Sequence, residues 1–258
     1  MSSSVLQIFG VLCVAVLVAQ VVQSAPPNGR VVGGEDAVNS QFPHQVSLRN
    51  RGSHGCGGSI ISRNYVLTAA HCVTYADENG DYHASPASQF SVRAGSNDRL
   101  SGGVLKDIIS ITVHEDYGNF LNDVALLQVE SPFIFSDSIK AISLPSQNTP
   151  GNVDIIISGW GLVKHQGDLP RYLQYNTLKS LTFNDCDDAI GWGVTNGLCL
   201  AHEVDNGACN GDSGGPATYN GELVGVAGFV VGGCGNSYPD GYARVHYFND
   251  WIKKNSDV

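Results

Sequence analysis

Three short segments of the chain carry residue types that nucleophilic catalysis uses. Residues 205–216 read DNGACNGDSGGP and place Ser213 among glycines, LTAAHC ends in His71 and Cys72, and NDVALL contains Asp123 ahead of an apolar run. A serine hydroxyl is a weak nucleophile until a neighbouring base removes its proton. Each residue alone is common in proteins, but a histidine, an aspartate and a glycine-flanked serine in this order form a far more specific pattern.

The segment GDSGG also matches G-x-S-x-G, the nucleophile elbow of the α/β-hydrolases. That elbow lies between a strand and a helix, and the chain order of its residues is serine, acid, histidine. Here Pro216 and a hairpin signal, Asn220-Gly221, follow Ser213, whereas the histidine and the acid precede it. The sequence therefore argues against the α/β-hydrolase fold.

The chain resembles the chymotrypsin-like (trypsin-fold) serine endopeptidases over residues 31–258. The motifs that carry the resemblance are RVVGG, SIISRNYVLTAAHC, NDVALL, GWG, CNGDSGGP and GYARV, in this order. The pattern is most similar to insect secreted serine proteases with an elastase- or chymotrypsin-like pocket. The resemblance implies an all-β fold of two six-stranded antiparallel β-barrels, with the active site between them and a helix at the C-terminus.

The same resemblance implies a role for each residue of the site. Ser213 would attack the peptide carbonyl, His71 would take and return the proton, and Asp123 would orient His71. The backbone N–H groups of Gly211 and Ser213 would form the oxyanion hole, where glycine keeps the peptide unobstructed. Three disulfides are also implied, which pair Cys56 with Cys72, Cys186 with Cys199, and Cys209 with Cys234.

Activation by cleavage is a further expectation from the resemblance. Mature members of the family begin with an apolar residue followed closely by glycines, as Val31 is here, and Val31 follows Arg30. Cleavage between them would create an α-ammonium group, and Asp212 matches the family residue that accepts this charge. Because the cut follows an arginine, the activator is expected to be another trypsin-like protease.

Specificity is expected from four positions aligned with the family's pocket: Gly207, Ala208, Val230 and Asp240. Trypsins carry an aspartate where this chain has Gly207, so cleavage after Lys or Arg is not expected. Val230 replaces a glycine of trypsins and chymotrypsins and should narrow the mouth, and AGFVVGGC with YPDGYARV resembles neutrophil elastase. We therefore expect a preference for small aliphatic residues, with chymotrypsin-like or broad collagenolytic specificity as the alternative. Asp240 is read as a hydrogen-bonded structural carboxylate or, in the alternative, as one that tolerates basic groups.

Two features depart from the family pattern. Gly228 stands where the family usually has a serine whose hydroxyl contacts the triad aspartate. The segment 73–89 is longer than in chymotrypsin and acidic, and it is either a solvated surface loop or a rim over the leaving-group side of the cleft, with the surface loop favoured. The segment 96–107 lacks the paired acids that trypsins use for calcium.

The elements that must position these residues are mostly strands. Apolar and β-branched runs alternate with breaks rich in Gly, Pro, Asn and Asp. The twelve candidate strands are HQVSL, GGSIIS, YVLTAAHC, SVRAG, DIISITVH, DVALLQV, DIIISGWG, LQYNTLKSLT, GLCLAH, GPATY, ELVGVAGFV and GYARV. Only the C-terminal HYFNDWIKKN shows a helical period, which groups Tyr247, Phe248, Trp251 and Ile252 on one face. The linker 146–152 divides the peptidase domain into barrels at about 31–145 and 146–258.

The N-terminal residues predict secretion. Residues 5–22 are nearly all apolar and small residues follow, so we expect a signal peptide over 1–24 and a propeptide over 25–30, although the n-region lacks Lys and Arg and an uncleaved anchor is the alternative. Cys13 would leave with the signal, and the remaining even number of cysteines suggests disulfides in an oxidising compartment. Scattered histidines and the lack of a Cys-x-x-Cys pair argue against zinc.

Composition excludes several classes of partner. The chain of 258 residues has 14 basic and 24 acidic side chains and no basic block, which argues against nucleic acid and an anionic membrane. Expected partners are protein or peptide substrates, an activating protease and protein protease inhibitors, and the chain is expected to be a monomer without cofactor or metal. The rival function is that of a secreted protease homologue without activity, but such homologues lose a triad residue and this chain keeps all three.

Overall fold

The structure is a computed structural model, and it describes residues 31–118, 120–191 and 195–258. The expected signal peptide and propeptide, including Arg30, lie outside the described residues. The described strands are β1 (Glu35–Asp36), β2 (Gln45–Asn50), β3 (Ser53–Ile60), β4 (Tyr65–Thr68), β5 (Thr74–Ala76), β6 (Tyr82–Ala84), β7 (Phe90–Ala94), β8 (Val104–Val113), β9 (Ala125–Val129), β10 (Asp154–Gly159), β11 (Gln174–Ser180), β12 (Gly197–Ala201), β13 (Pro216–Tyr219), β14 (Glu222–Phe229) and β15 (Asp240–Arg244).

The first barrel closes in the order β2-β3-β4-β9-β8-β7, and β7 pairs back onto β2. Its strands are antiparallel, and β7 alternates between the core and the outer face. Phe90, Val92 and Ala94 are buried in the barrel core, whereas Ser91 and Arg93 between them are less buried. This alternation has the period of two that a pleated strand imposes on a half-buried sheet.

The second barrel repeats this arrangement. Its strands follow the order β11-β10-β13-β14-β15-β12, and an additional pairing of β12 with β11 closes the ring. The N-terminal strand β1 adds to the outside of β11, so the first residues after the expected cleavage site belong to the second barrel rather than the first. The expected architecture of two six-stranded antiparallel barrels is confirmed.

A third apolar cluster joins the barrels and the C-terminal helix α2 (Val245–Asn255). Leu67 and Leu126 contribute from the first barrel, Val226 contributes from the second, and Phe248 and Ile252 contribute from α2. Full burial of such a side chain contributes roughly 1.5–3 kcal/mol. The cluster therefore fixes the two barrels against each other at the level of the candidate site.

Two helical details differ from the expectation. Tyr247 is 54% exposed, although Phe248 and Ile252 of the same predicted face are buried. A second helix, α1 (Phe183–Ile190), was not expected. Thr182 caps it by accepting the Asp185 N–H, and Gly191 ends it in the left-handed conformation. Among the described residues, none of the helices has the length and apolar character needed to cross a membrane.

Candidate active site

Strand pairing in the first barrel brings His71 and Asp123 together. Thr68, the last residue of β4, pairs with Ala125, the first residue of β9. The segment that follows β4 therefore lies beside the segment that precedes β9. A single 3₁₀ turn, Ala70–Cys72, presents His71 there, and Asp123 stands two residues ahead of β9.

The contacts of Asp123 fix the orientation of the His71 ring. One carboxylate oxygen accepts the His71 backbone N–H at 2.9 Å, and the other lies 2.6 Å from His71 Nδ1. Asp123 is only 2% exposed. Because a carboxylate accepts, Nδ1 carries the hydrogen, and the lone pair of the neutral ring is on Nε2.

Ser213 lies where two cavities meet. A cavity of about 290 Å³ is bordered by His71, Ser213 and Val230, among others. A second cavity of about 330 Å³ is also bordered by His71 and Ser213, with Gly211 and Cys56. The Gly57 N–H of the first barrel donates to the Ser213 carbonyl at 2.7 Å. The two cavities therefore leave space on both sides of Ser213 for the side chains of an extended peptide.

Gly211 adopts a conformation that other residues rarely take. Its φ is 101°, and a Cβ at this position would lie 2.9 Å from Leu169 Cδ2. The Gly211 carbonyl accepts a hydrogen bond from His54 Nε2 at 3.1 Å, and His54 Nδ1 lies 2.8 Å from Ser47 Oγ. Burial lowers the pKa of His54 to about 4, although the Gly211 bond opposes this and Arg99 assists it. A neutral His54 thus holds the backbone beside Ser213.

Asp212 is buried directly behind Ser213. Its carboxylate accepts the backbone N–H of Gly161 at 2.7 Å and of Cys209 at 3.0 Å. Burial raises its pKa to about 7, opposed by these two N–H groups and assisted by the charge of Asp240. Val31 is fully buried in the core of the second barrel, and its φ of 49° is one that β-branched residues rarely adopt.

The four expected pocket residues divide into two groups. Ala208 and Val230 border the 290 Å³ cavity. Gly207 and Asp240 are not among the residues that border it, although their chain neighbours Ala208 and Gly241 are. Ala208 belongs to the cavity wall, and the adjacent Gly207 donates its N–H to the Val32 carbonyl at 3.0 Å.

Asp240 has close partners beneath this wall. One carboxylate oxygen accepts the Ala208 N–H at 2.6 Å, and the other lies 3.3 Å from His202 Nε2. Both side chains are almost completely buried. Of the two readings of Asp240, this arrangement agrees with a hydrogen-bonded structural carboxylate.

Three disulfides brace the site, and they pair the cysteines as the resemblance implies. Cys56–Cys72 ties β3 to the turn that carries His71, Cys209–Cys234 ties the cavity residue Cys209 to the segment between β14 and β15, and Cys186–Cys199 ties α1 to β12. Cys56, His71 and Cys72 have ligand-type atoms close together. Because both thiols are joined in the disulfide, this group offers no thiolate to a metal ion.

The two departures from the family pattern lie at different distances from the site. A Cβ at Gly228 would stand 3.7 Å from Asp123 Oδ2, so this glycine adjoins the candidate triad. The acidic insertion forms the hairpin β5–β6, and Asp77 accepts hydrogen bonds within its turn. The residues that border the 330 Å³ cavity come from other segments of the chain.

Some residues of the site were missed from the sequence. Phe120 and Phe229 border the 290 Å³ cavity, and their rings lie 5.6 Å apart. His202 and His54 contact Asp240 and Gly211. Phe229 lies within the quoted AGFVVGGC and His202 within the quoted strand GLCLAH, but no residue pattern links either one to a partner distant in the sequence.

Comparison with known proteins gives a consistent result. Residues 31–252 match the family model described as Trypsin. Serine protease SP24D of Anopheles gambiae is 46% identical over 225 residues, which cover 87% of this chain and 80% of that protein. Trypsin alpha of Drosophila melanogaster is 38% identical over 231 residues, 87% of each chain. The solved structure of human heparin binding protein superposes with a TM-score of 0.74 at 28% identity, over 87% of this chain and 96% of that one.

Proposed function

Because the chain belongs to the Trypsin family and is a serine endopeptidase, we propose that it cleaves peptide bonds through Ser213, His71 and Asp123. The observation that carries the proposal is the buried 2.6 Å contact between His71 Nδ1 and Asp123, in a ring that borders the same cavities as Ser213. This contact gives His71 the tautomer that a base for a serine hydroxyl needs.

The reaction divides into acylation and deacylation of Ser213, each with two proton transfers through His71. His71 Nε2 takes the proton of Ser213 as Oγ attacks the carbonyl carbon, and Asp123 stabilises the imidazolium that forms. His71 then gives the proton to the leaving amine, which leaves an acyl group on Ser213. Water then replaces the amine: His71 Nε2 takes a proton from water as its oxygen attacks the ester carbonyl, and gives that proton to Ser213 Oγ as the bond between the acyl carbon and Oγ breaks and the acid product leaves. The backbone N–H groups of Gly211 and Ser213 stabilise the negative oxygen of each tetrahedral intermediate.

Replacement of Asp123 tests the mechanism without removing the nucleophile. Asp123→Asn keeps the shape of the side chain, but its amide nitrogen can donate to Nδ1 and so favours the wrong tautomer of His71. In this family's template such a change lowers kcat by about 10⁴, and we expect a similar loss with an unchanged melting temperature. Peptidase activity within about tenfold of the unmodified protein would contradict the proposal, since tenfold is only about 1.4 kcal/mol in the barrier.

The second part of the proposal is activation by cleavage between Arg30 and Val31. Asp212 supports it, because among the described residues the partners of this buried carboxylate are two backbone N–H groups, and a buried carboxylate gains from a cationic partner. Val31 supports it as well, because an N-terminal residue no longer has to hold the strained φ of 49° found in the uncut chain. An α-ammonium on Val31 that pairs with Asp212 would order the backbone beside Ser213.

Trypsin treatment of the secreted protein should switch on activity and yield a chain that begins at Val31. Arg30→Gln should block both, because glutamine is not a trypsin site. N-terminal sequencing of an active form that begins at another residue would overturn this part of the proposal, whatever the fate of the mechanism.

The third part is a preference for small aliphatic side chains before the scissile bond. It is supported by Val230 on the cavity border and by the partners of Asp240, which leave no free carboxylate there. Two compared relatives have 38% and 46% identity and one of them is called a trypsin, but Gly207 replaces the aspartate that selects Lys and Arg in trypsins. Chymotrypsin-like or broad specificity is the alternative, and a panel of peptide anilides with Ala, Val, Phe and Arg distinguishes them.

The remaining features of the proposal concern secretion, processing, domain organisation and partners. We infer secretion through a signal peptide over 1–24, removal of a propeptide over 25–30, and a peptidase domain over 31–258 with its halves at about 31–145 and 146–258. Protein substrates and protein inhibitors follow from the family, while an activating trypsin-like protease and a monomeric state belong to the proposal. Secretion is tested by the recovery of the protein, without residues 1–24, from the medium of expressing cells.

A further inference from the structure

A buried pair of titratable side chains, His202 and Asp240, lies beneath the cavity and is not used by the proposed mechanism. The exposed fractions of the two side chains are 1% and 3%, and His202 Nε2 lies 3.3 Å from Asp240 Oδ1. This contact is within ion-pair distance but deviates from the alignment of a hydrogen bond. The other oxygen of Asp240 accepts the N–H of Ala208 at 2.6 Å, and Ala208 borders the cavity. The pair is thus one residue behind the surface that a substrate side chain meets.

The hydrogen positions on His202 follow from its second partner. Nδ1 lies 2.9 Å from the Glu203 carbonyl oxygen, which can only accept, so Nδ1 carries a hydrogen. Nε2 faces a carboxylate oxygen, and two lone pairs in a buried contact would repel each other. One proton therefore lies between the two groups, either on Nε2 beside an anionic Asp240 or on a neutral Asp240. In both cases the pair carries no net charge.

The pair also occupies the space that a side chain at position 207 would need. A Cβ on Gly207 would lie 2.6 Å from Asp240 Oδ2 and 2.7 Å from His202 Nε2, and the φ of Gly207 is 107°. Any larger residue would displace the ring or the carboxylate. With His202 and Asp240 in these positions, residue 207 therefore cannot carry an acidic side chain.

The pKa values agree with a shared proton. Burial lowers the pKa of His202, but the contacts with Asp240 and with the Glu203 carbonyl outweigh it and raise the value. Burial raises the pKa of Asp240, opposed by His202 and by the Ala208 N–H. The other titratable groups that face the pair are Asp212 and Tyr242, on which the Asp240 charge acts, and Asp154, Lys179 and Glu203, which border the depression on the outer side of His202.

We propose that His202 is a specificity-determining residue: it supplies the proton that neutralises Asp240, and the cavity therefore selects apolar side chains over the cationic groups of Arg and Lys. This inference rests on the proposed function and deepens it. Without that proton, the pair would carry one net negative charge on Asp240, one residue behind the cavity border. An anion in such a site attracts a cationic side chain more strongly than it would in water.

The test compares specificity constants for matched peptide anilides with Arg or Ala before the scissile bond. The ratio of kcat/KM for Arg to that for Ala cancels the ionisation of His71, because both substrates use the same catalytic groups. In the unmodified protein the ratio should be low and constant at acidic and neutral pH. It should rise at alkaline pH, where the pair loses its proton. A ratio that stays constant from pH 6 to 10 overturns the proposal. This measurement uses the unmodified protein, so it does not depend on the folding of any variant.

Variants separate charge from packing. His202→Leu and His202→Gln both remove the titratable ring, and each should raise the Arg-to-Ala ratio at pH 8 by roughly tenfold or more, the scale of a charge pair in a partly buried site. The double change His202→Leu with Asp240→Asn removes the anion as well and should restore the low ratio. His83→Gln is the matched control, because His83 pairs with Asp77 at 2.9 Å in the exposed hairpin and should leave the ratio unchanged.

The outcomes distinguish this inference from the proposed function. Active sites are counted with an organophosphonate before each measurement. If the His202 variants are fully labelled but keep the Arg-to-Ala ratio of the unmodified protein, the role of His202 is contradicted and the proposed function is not. An Arg-to-Ala ratio that stays high in the double variant has the same meaning. An unmodified protein that cleaves neither substrate and takes no label contradicts the proposed function and this inference together.

Discussion

Asp212 should make the uncut chain lose stability as the pH rises. The carboxyl is buried, with two backbone N–H groups as its partners, and burial raises its pKa from 3.8 to about 7. The folded chain therefore prefers the protonated acid, whereas the unfolded chain ionises it at an ordinary pH. The stabilisation is complete below about pH 3.8 and is lost as the pH rises through about 7.

The magnitude follows from the two pKa values. At about 1.36 kcal/mol for each pH unit, the rise from 3.8 to about 7 corresponds to roughly 4 kcal/mol of unfolding free energy. For a domain of this size, 1 kcal/mol shifts the melting temperature by about 2–4 °C. The Asp212 contribution alone therefore amounts to roughly 10 °C between pH 4 and pH 8.5.

The assay compares two uncleavable proteins, Arg30→Gln and Arg30→Gln with Asp212→Asn, in urea unfolding at pH 4 and pH 8.5. The Asp212→Asn change lowers the unfolding free energy by an amount that does not depend on pH, because the asparagine Nδ2 faces a backbone N–H and the side chain does not titrate. The difference in unfolding free energy between the two proteins should therefore change by roughly 4 kcal/mol across this range. Equal losses in both proteins would refute the buried, unpaired state of Asp212 on which the activation proposal relies.

Three further predictions concern the walls of the cavity and the triad. Val230→Gly should shift the preference from Ala toward Phe or Leu anilides by roughly 10- to 200-fold, the range for one misfitted methylene; an unchanged ranking would show that Val230 does not limit the cavity. Gly207→Ala should lower the unfolding free energy measured in urea, because its Cβ meets the His202 ring and Asp240 at 2.6–2.8 Å, and an unaltered midpoint would contradict this packing. Gly228→Ser should raise kcat/KM by roughly two- to tenfold, since a hydroxyl there can donate to Asp123 and a hydrogen bond is worth about 0.5–1.5 kcal/mol; lower activity in a stable variant would point instead to the 3.0 Å contact of its Cβ with the Gly241 carbonyl.

Most of the fold follows from local patterns that the sequence displays openly. Every candidate strand overlaps a strand of the two barrels, because alternating burial in runs such as FSVRA, apolar runs such as ALLQV and the turn residues between strands leave a strong signal. The strands β1, β5 and β6 have only two or three residues, and three residues are too few to show a period. Helix α1 was missed for a similar reason, since the cap at Thr182 and the Gly191 end enclose only eight residues.

The sequence predicts the site residues that lie in recognisable motifs, but not the residues whose place in the site depends on tertiary packing. His71, Asp123 and Ser213 lie in quoted motifs, and strand register brings His71 to Asp123. For Gly207 and Asp240, an alignment gives a position along the chain, but not which buried partners that position contacts. Asp240 accepts the Ala208 N–H and lies against His202, and neither contact leaves a trace in the local sequence.

The central claim is that Ser213 is the nucleophile of a peptidase, and labelling of that residue tests it most directly. The trypsin-treated protein is reacted with an organophosphonate carrying a small aliphatic side chain, and peptide mass spectrometry locates the label. The account predicts one phosphonyl group on the peptide that contains Ser213, loss of peptidase activity in step with labelling, and neither label nor activity in a folded Ser213→Ala protein. A label on another residue, or peptidase activity that survives in Ser213→Ala, would contradict it.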